Sequence, residues 1–238
     1  MQMNASSIVN QKAEWEKLGV KLPAFDHAAM TAATKEHPIW VHFGAGNIFR
    51  GFIAALQQRL LNEGVADRGI IAADTFDYDI IDKIYTPYDN LTMNVTLNPD
   101  GTTSREIIGS VAEGLRANSA DAEMMARFKQ IFTDPSLQMI SFTITEKGYA
   151  LYRPDGSCLP PKQAAEKMLA GIEAIAAQCN HLIIVSNEVF SGGADYAGET
   201  DLYLQALAMV NNAVAAQADA VCRVVCGLPV YYKGGERP

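Results

Sequence analysis

The sequence predicts an α/β protein: a three-layer fold with a mostly parallel sheet and one hairpin insertion. Three observations carry that expectation. Short, mostly apolar runs recur at residues 39–43, 69–73, 137–144, 181–185 and 221–225, as expected of strands covered on both faces. Longer stretches with apolar residues at helical spacing separate most of them, the alternation that builds parallel sheets. One segment, residues 91–108, instead alternates polar and apolar residues around the turn Asn98-Pro99-Asp100-Gly101, the punctuation of a β-hairpin.

Taken in order, residues before His37 read as an irregular lead-in with one short helix. The run Ile39-Trp40-Val41-His42-Phe43 is a buried strand, and Gly44-Ala45-Gly46 a turn. The helix that follows places Phe49, Phe52, Ile53, Leu56 and Leu60 on an apolar face, with Gln57, Gln58 and Arg59 among them, and stops at Asn62-Glu63-Gly64. The second strand ends at Asp74. A short helix over residues 76–85 is broken by Thr86-Pro87-Tyr88, and the hairpin follows. A helix over 120–132 precedes the strand at 137–144. Pro160-Pro161 is the sharpest break in the chain and divides the expected domains, 1–160 and 161–238. Beyond it the pattern gives a helix over 162–178, a strand at 181–185, a helix over 201–218 and a strand at 221–225, either extending the first sheet or forming a small second unit.

At 238 residues, with 49% hydrophobic and 19% charged residues, the chain has the composition of a folded protein with a substantial core. A net charge of −8 with no basic tract argues against nucleic acid as a partner. No apolar run reaches the ~18 residues of a membrane span, and the first residues lack a signal-peptide pattern, so a cytoplasmic location is expected. Cys158, Cys179, Cys222 and Cys226 form no Cys-x-x-Cys pair, and the histidines do not cluster beside them. They read as small buried hydrophobes, and no metal site is expected. Nothing in the sequence specifies an oligomeric state.

The chemistry concentrates at residues 39–52. Gly44 and Gly46 allow a sharp turn with no side chain between backbone and ligand, and the following helix aims its first amides at that space. A pyrophosphate is the usual occupant of such a turn, although many turns of this kind use glycine for geometry alone. Gly44, Gly46 and Asn47 are the strongest candidate contacts. Arg50 is placed to meet a phosphate or to remain solvated. Asp74 ends the second strand roughly where a dinucleotide fold places its ribose carboxylate, a little later than the usual ~20-residue spacing, and equally suits a plain turn. Phe49 replaces the third glycine of the usual fingerprint. His42, inside the first strand, reads as a satisfied core histidine and not as a base.

The run Gly44-Ala45-Gly46-Asn47-Ile48-Phe49-Arg50-Gly51-Phe52 resembles the cofactor loop of the mannitol dehydrogenase family, the long-chain polyol and sugar-acid dehydrogenases. A second block, Ser141-Phe142-Thr143-Ile144-Thr145-Glu146-Lys147-Gly148-Tyr149, resembles that family's strand and loop near the nicotinamide. The resemblance implies a Rossmann-like domain over the first 160 or so residues. It further implies a polyol or sugar acid as small-molecule partner, and cofactor contacts at Gly44, Ala45, Gly46, Asn47, Ile48, Arg50, Asp74, Thr145, Glu146 and Lys147. NAD is favoured over NADP, because the Asp74 carboxylate would repel a 2′-phosphate. The family's Lys-x-x-x-x-Asn-x-x-x-His arrangement is absent, so catalytic residues are not assigned and the catalytic helical domain is expected to be missing.

A second resemblance covers residues 181–233. Leu182-Ile183-Ile184-Val185-Ser186-Asn187-Glu188-Val189, Glu199-Thr200 and Val224-Val225-Cys226-Gly227-Leu228-Pro229-Val230 are similar to the C-terminal part of the adenosylcobinamide kinase/adenosylcobinamide-phosphate guanylyltransferase family of cobalamin biosynthesis. That family's Gly-x-x-x-x-Gly-Lys-Ser/Thr phosphate loop is not present, so phosphoryl transfer has no electrostatic support. Asn187 and Glu188 then suit a capped turn with satisfied polar groups. The chain therefore reads as chimeric, two family fragments joined near residues 155–180. The leading expectation is an NAD-binding oxidoreductase. The alternatives are a guanine-nucleotide- or cobinamide-binding protein and a non-catalytic α/β binding protein.

Overall fold

The computed structural model describes residues 2–143, 153, 155–193 and 195–235. The chain divides into two compact units, Met1–Thr145 and Glu146–Pro238.

In the first unit two short helices, α1 (Ala5–Asn10) and α2 (Lys12–Lys17), lead through β1 (Val20–Lys21) to α3 (His27–Glu36). Then come β2 (Trp40–Phe43), a π-helical turn over Phe49–Ile53 that continues as α4 (Ala54–Asn62), and β3 (Ile70–Asp74). The helical turn α5 (Tyr78–Ile80) runs on as π-helix over Ile81–Tyr85. The hairpin β4 (Thr92–Leu97) and β5 (Thr103–Ile108) precedes β6 (Val111–Arg116), α6 (Ala122–Thr133) and β7 (Met139–Phe142).

The main sheet is wholly parallel and has the order β6-β3-β2-β7. Its inner strand β3 is buried on both faces, as an unbroken apolar run requires, whereas the edge strand β7, expected to be buried, leaves Met139, Ile140 and Phe142 exposed because no strand or helix among the described residues covers it. Ile70 and Ala72 of β3 face a core with Phe49, Ala54, Tyr85 and Ile108, while Ile71 and Ala73 face Val41, Leu115, Phe128 and Ile131. That alternation makes the three layers. The hairpin pairs antiparallel and accepts β1 in parallel on its β5 side, giving a small second sheet. The expected insertion is therefore present and has recruited part of the lead-in.

The helix after the glycine turn differs from the sequence expectation in its buried face. Phe49 is fully buried, but Phe52 is 61% exposed and Leu56 and Leu60 also face solvent. Gln57 and Gln58 are buried in their place. Their amides replace water with fixed partners, which removes the usual penalty for burying a polar group. Gln57 Nε2 donates to Arg68 O (2.7 Å). Gln58 Nε2 donates to Ile107 O (2.9 Å) and Glu106 Oε1 (3.0 Å), and its Oε1 accepts from Gly109 N (2.6 Å). The π-helical start contributes to this rotation, because the extra residue per turn shifts everything after it around the axis.

In the second unit, α7 (Pro161–Ala176) and α8 (Glu199–Gln217) share a small core of Leu159, Ala164 and Ala206. An exposed hairpin of β8 (Val221–Val225) and β9 (Leu228–Lys233) follows α8. Two expectations fail here. Residues 181–185 form no strand, and Ile183 and Val185 are 86% and 92% exposed; an apolar run becomes a strand only where a neighbouring strand completes its hydrogen-bond ladder. The cysteines are not buried either: Cys179, Cys222 and Cys226 are exposed and Cys158 half-buried, all as free thiols. Cys226 and Gly227, both at positive φ (50° and 83°), make the two-residue turn between β8 and β9. Glu188 is satisfied as a turn residue, accepting from Ser191 Oγ (2.9 Å) and pairing with Arg223 (3.1 Å). No described helix is long and apolar enough to cross a membrane.

Candidate functional site

The order β6-β3-β2-β7 places the main sheet's first βα turn at the point where strand order reverses, between β2 and β7. Open α/β sheets bind ligands there, outside the carboxyl ends of the strands. Residues 44–48 form that turn, anchored by Gly44 N donating to Ala73 O (2.9 Å).

Gly44 adopts φ +108°, a conformation that side chains disfavour, and a Cβ at this position would come 2.6 Å from Thr143 O as well as striking the Thr143 hydroxyl. Its glycine is required by backbone geometry. Gly46 differs: a Cβ there would meet nothing within 4 Å, so this glycine keeps open space in front of the turn. The first helical hydrogen bond is Arg50 N to Gly46 O (3.1 Å), and the amides of Gly46, Asn47 and Ile48 make no backbone hydrogen bond among the described residues. Free amides at a helix start are the ordinary means of holding an anion.

Ala45, by contrast, faces inward. It is fully buried, its N–H donates to Asp74 Oδ2 (3.2 Å), and its carbonyl accepts from Tyr85 Oη (2.9 Å). Ile48 is exposed. Arg50 donates to Asn47 Oδ1 through Nη2, and its guanidinium lies 5.9 Å from the centroid of the Tyr85 ring. Its Nε is buried without a hydrogen-bond partner among the described residues. Burial raises the Tyr85 phenol out of reach of physiological pH, with the Arg50 charge opposing. Tyr85 is thus a neutral donor that ties the turn to the β3–β4 connection.

Asp74 is occupied before any ligand arrives. Oδ1 accepts from Phe76 N (2.9 Å) and Asp77 N (2.8 Å) while Oδ2 accepts from Ala45 N. It is the turn residue that the sequence allows for, and Oδ2 retains one lone pair for a further donor. Thr145, Glu146 and Lys147 lie outside the described residues. The structure therefore brings Gly44, Ala45, Gly46, Asn47, Ile48, Arg50 and Asp74 to one end of the sheet.

Sequence reasoning missed the supports of this turn. Tyr85 gives no local signal, because its partner Ala45 is 40 residues away. Ser141 and Thr143 lie in a singled-out block but carry roles visible only once β7 pairs with β2. His42, stacked on Phe49 with ring centroids 4.3 Å apart, contacts both hydroxyls. Among the described residues, no cluster of three His, Cys, Asp or Glu side chains has the geometry to hold a metal.

Comparison with known proteins finds similar chains among oxidoreductases. The chain is 48% identical over 171 residues to D-mannonate oxidoreductase of Thermotoga maritima, a match covering 72% of this chain and 31% of that protein. It is 29% identical over 133 residues to mannitol 2-dehydrogenase of Cereibacter sphaeroides, covering 55% of this chain and 25% of that protein. Among solved structures it is similar to Pseudomonas fluorescens mannitol 2-dehydrogenase, determined as a ternary complex with NAD and D-mannitol. That match has a TM-score of 0.50 and 24% identity, and covers 69% of this chain and 32% of the other. The chain thus shares the Rossmann-like α/β fold of that structure. The chain spans less than a third of the length of these relatives. Separately, the profile of the cobinamide kinase / cobinamide phosphate guanyltransferase family matches residues 139–232. Both resemblances read in the sequence stand, and the second begins at β7, well before residue 181.

Proposed function

We propose that this chain is the cofactor-binding part of an NAD-dependent oxidoreductase acting on a polyol or sugar acid. The observation that carries the reading is the glycine turn at the strand-order reversal: three amides and an Arg50 Nε without a hydrogen-bond partner among the described residues, with open space in front of Gly46. These features fit a dinucleotide. The amides of Gly46, Asn47 and Ile48 and the Arg50 guanidinium would hold the pyrophosphate. Asp74 Oδ2, with its remaining lone pair, would accept from a ribose hydroxyl, and its charge would disfavour the 2′-phosphate of NADP. Thr145, Glu146 and Lys147 are proposed contacts on the nicotinamide side. When bound, the nicotinamide accepts or gives a hydride; the protein orients it and must also supply a proton-transfer group. This chain's residues supply the orientation, and we assign it cofactor binding with weak or absent turnover of its own. Residues 1–160 act as the dinucleotide domain and 161–238 as an attached α/β segment, in a cytoplasmic protein.

Titration of NADH fluorescence with protein tests the reading. Saturable binding below millimolar cofactor is expected, and Gly46→Asp should abolish it by setting a carboxylate against the pyrophosphate. No saturable change at millimolar NADH refutes the proposal. The profile match at residues 139–232 supports a second reading, a guanine-nucleotide- or cobinamide-binding protein. Thermal stabilisation by GTP and not by NADH would favour it.

A further inference from the structure

We infer that His42 is a positioning residue for the cofactor turn: a neutral Nε2–H imidazole at the centre of a one-way hydrogen-bond chain that locks the Gly44 carbonyl to the end of β7. The inference rests on the proposed cofactor role of this turn, and it deepens that role.

The direction of the chain follows from donor counting. Trp40 Nε1 is a donor with no acceptor capacity, so Ser141 Oγ, 2.7 Å away, accepts from it. Thr143 Oγ1 donates its single proton to Gly44 O (3.1 Å), the acceptor there having no proton to give. Thr143 must then accept from His42 Nε2 (3.1 Å), which fixes the proton on that nitrogen. Nδ1 is left as an acceptor, and the Ser141 hydroxyl donates to it across 2.7 Å. Every polar atom in the row, Trp40–Ser141–His42–Thr143–Gly44, uses its proton once and in the same direction. The opposite tautomer leaves His42 Nε2 and Gly44 O competing for the single Thr143 proton, so one of the two bonds is lost. The Phe49 ring, stacked on the imidazole with planes 9° apart, holds its orientation.

The chain crosses from β2 to β7 at the point of strand-order reversal and ends on the residue whose φ of +108° makes the turn. Thr143 also sits where a Cβ on Gly44 would strike it, so the hydroxyl and the turn are fitted to each other. The imidazole is fully buried. The titratable groups on the elements packed against it are Asp74 at the end of β3, Arg50 on the helix that carries Phe49, and Tyr85; none forms an ion pair or hydrogen bond with its ring among the described residues. A proton added to Nδ1 would face the Ser141 hydroxyl and reverse the row.

The test uses the full chain with 15N-labelled histidine. Long-range 1H–15N spectra are expected to show His42 as the Nε2–H tautomer. Thr143→Val, which removes the acceptor but keeps the shape, is expected to shift the ring to Nδ1–H, donating to Ser141, and to lower amide-exchange protection at Gly44 at least tenfold. Thr143→Ser should restore both. NADH affinity should fall about tenfold in Thr143→Val and return to within twofold in Thr143→Ser. A wild-type Nδ1–H tautomer, or unchanged Gly44 protection in Thr143→Val, overturns the inference. If wild type binds no NADH, the cofactor reading fails, while tautomer and exchange still decide the positioning role.

Discussion

Asp74 and His42 show how much of this site is internal wiring. The three amides that Asp74 accepts from belong to two different loops, so its carboxylate holds the glycine turn and the β3–α5 connection together. Asp74→Asn keeps the size but supplies one acceptor oxygen in place of two. At least one amide then loses its partner, and a loss of roughly 1–3 kcal/mol is expected in urea denaturation, with weaker NADH binding. His42 adds an acid dependence. Burial pushes its pKa down to about 4 from an ordinary 6.5, with the nearby Gly44 backbone opposing. Burial likewise lowers His27, against the charges of Asp89 and Asp26. Between those pH values the unfolded chain binds protons that the folded chain refuses. Stability should therefore be level with respect to these groups above pH 6.5 and fall as the pH drops toward 4, by roughly 2–3 kcal/mol for His42. Denaturation midpoints at pH 7 and pH 4.5 measure it, and His42→Gln should flatten the profile.

At the scale of elements, β2, β3 and β7 of the first unit were legible because continuous apolar runs have one good solution, pairing in a parallel sheet, whereas β6 (Val111–Arg116), interrupted by Glu113 and Gly114, and the two-residue β1 were not. The hairpin was legible from its turn residues. The helix after the glycine turn was legible as a helix but not in its facing, because Gln57 and Gln58 take positions that periodicity reserves for Leu56 and Leu60. What decides is the availability of backbone partners at Arg68, Ile107 and Gly109, which no local pattern records. Gln58→Ala tests that account. It strands the buried Gly109 N–H, and a loss of about 2–3 kcal/mol is expected, lowering Tm by roughly 4–10 °C, whereas Leu60→Ala should change little. Residues 181–185 show the converse error: four successive apolar side chains satisfy the pattern of a strand, but a strand needs a neighbour. The candidate site divides in the same way. Its glycines and Asp74 are readable because their spacing carries geometry, while Tyr85, Ser141 and Thr143 act across gaps of 40 to 101 residues.

For the whole molecule, the division near residue 145 separates a unit built on a four-stranded parallel sheet and a small three-stranded one from a unit built on two helices and a hairpin. The exposed stretch from Leu182 to Val185 makes the second unit the vulnerable one. Thermolysin, which cuts before bulky apolar residues, should nick the native protein first within residues 182–185, leaving an N-terminal fragment that still contains the glycine turn. First cleavage inside residues 39–143 would contradict this. The same stretch is an aggregation hazard, being β-branched, uncharged and free of proline. Ile183→Lys with Val185→Lys should raise soluble yield without altering NADH binding.

The π-helical stretch Phe49–Ile53 has a bearing on how this chain tolerates change in length. Such a stretch is an α-helix carrying one surplus residue. Excising Gly51 would let the helix relax to regular winding, but the part before the cut would swing about 100° around the axis against the part after it. Gln58 is clamped downstream and Phe49 upstream, so both cannot keep their partners. A single-residue deletion there is expected to unseat the whole turn, although every contacting side chain would still be present in the sequence. In that segment the spacing between anchors is itself inherited information, and an alignment gap inside it would signal lost binding more surely than a substitution.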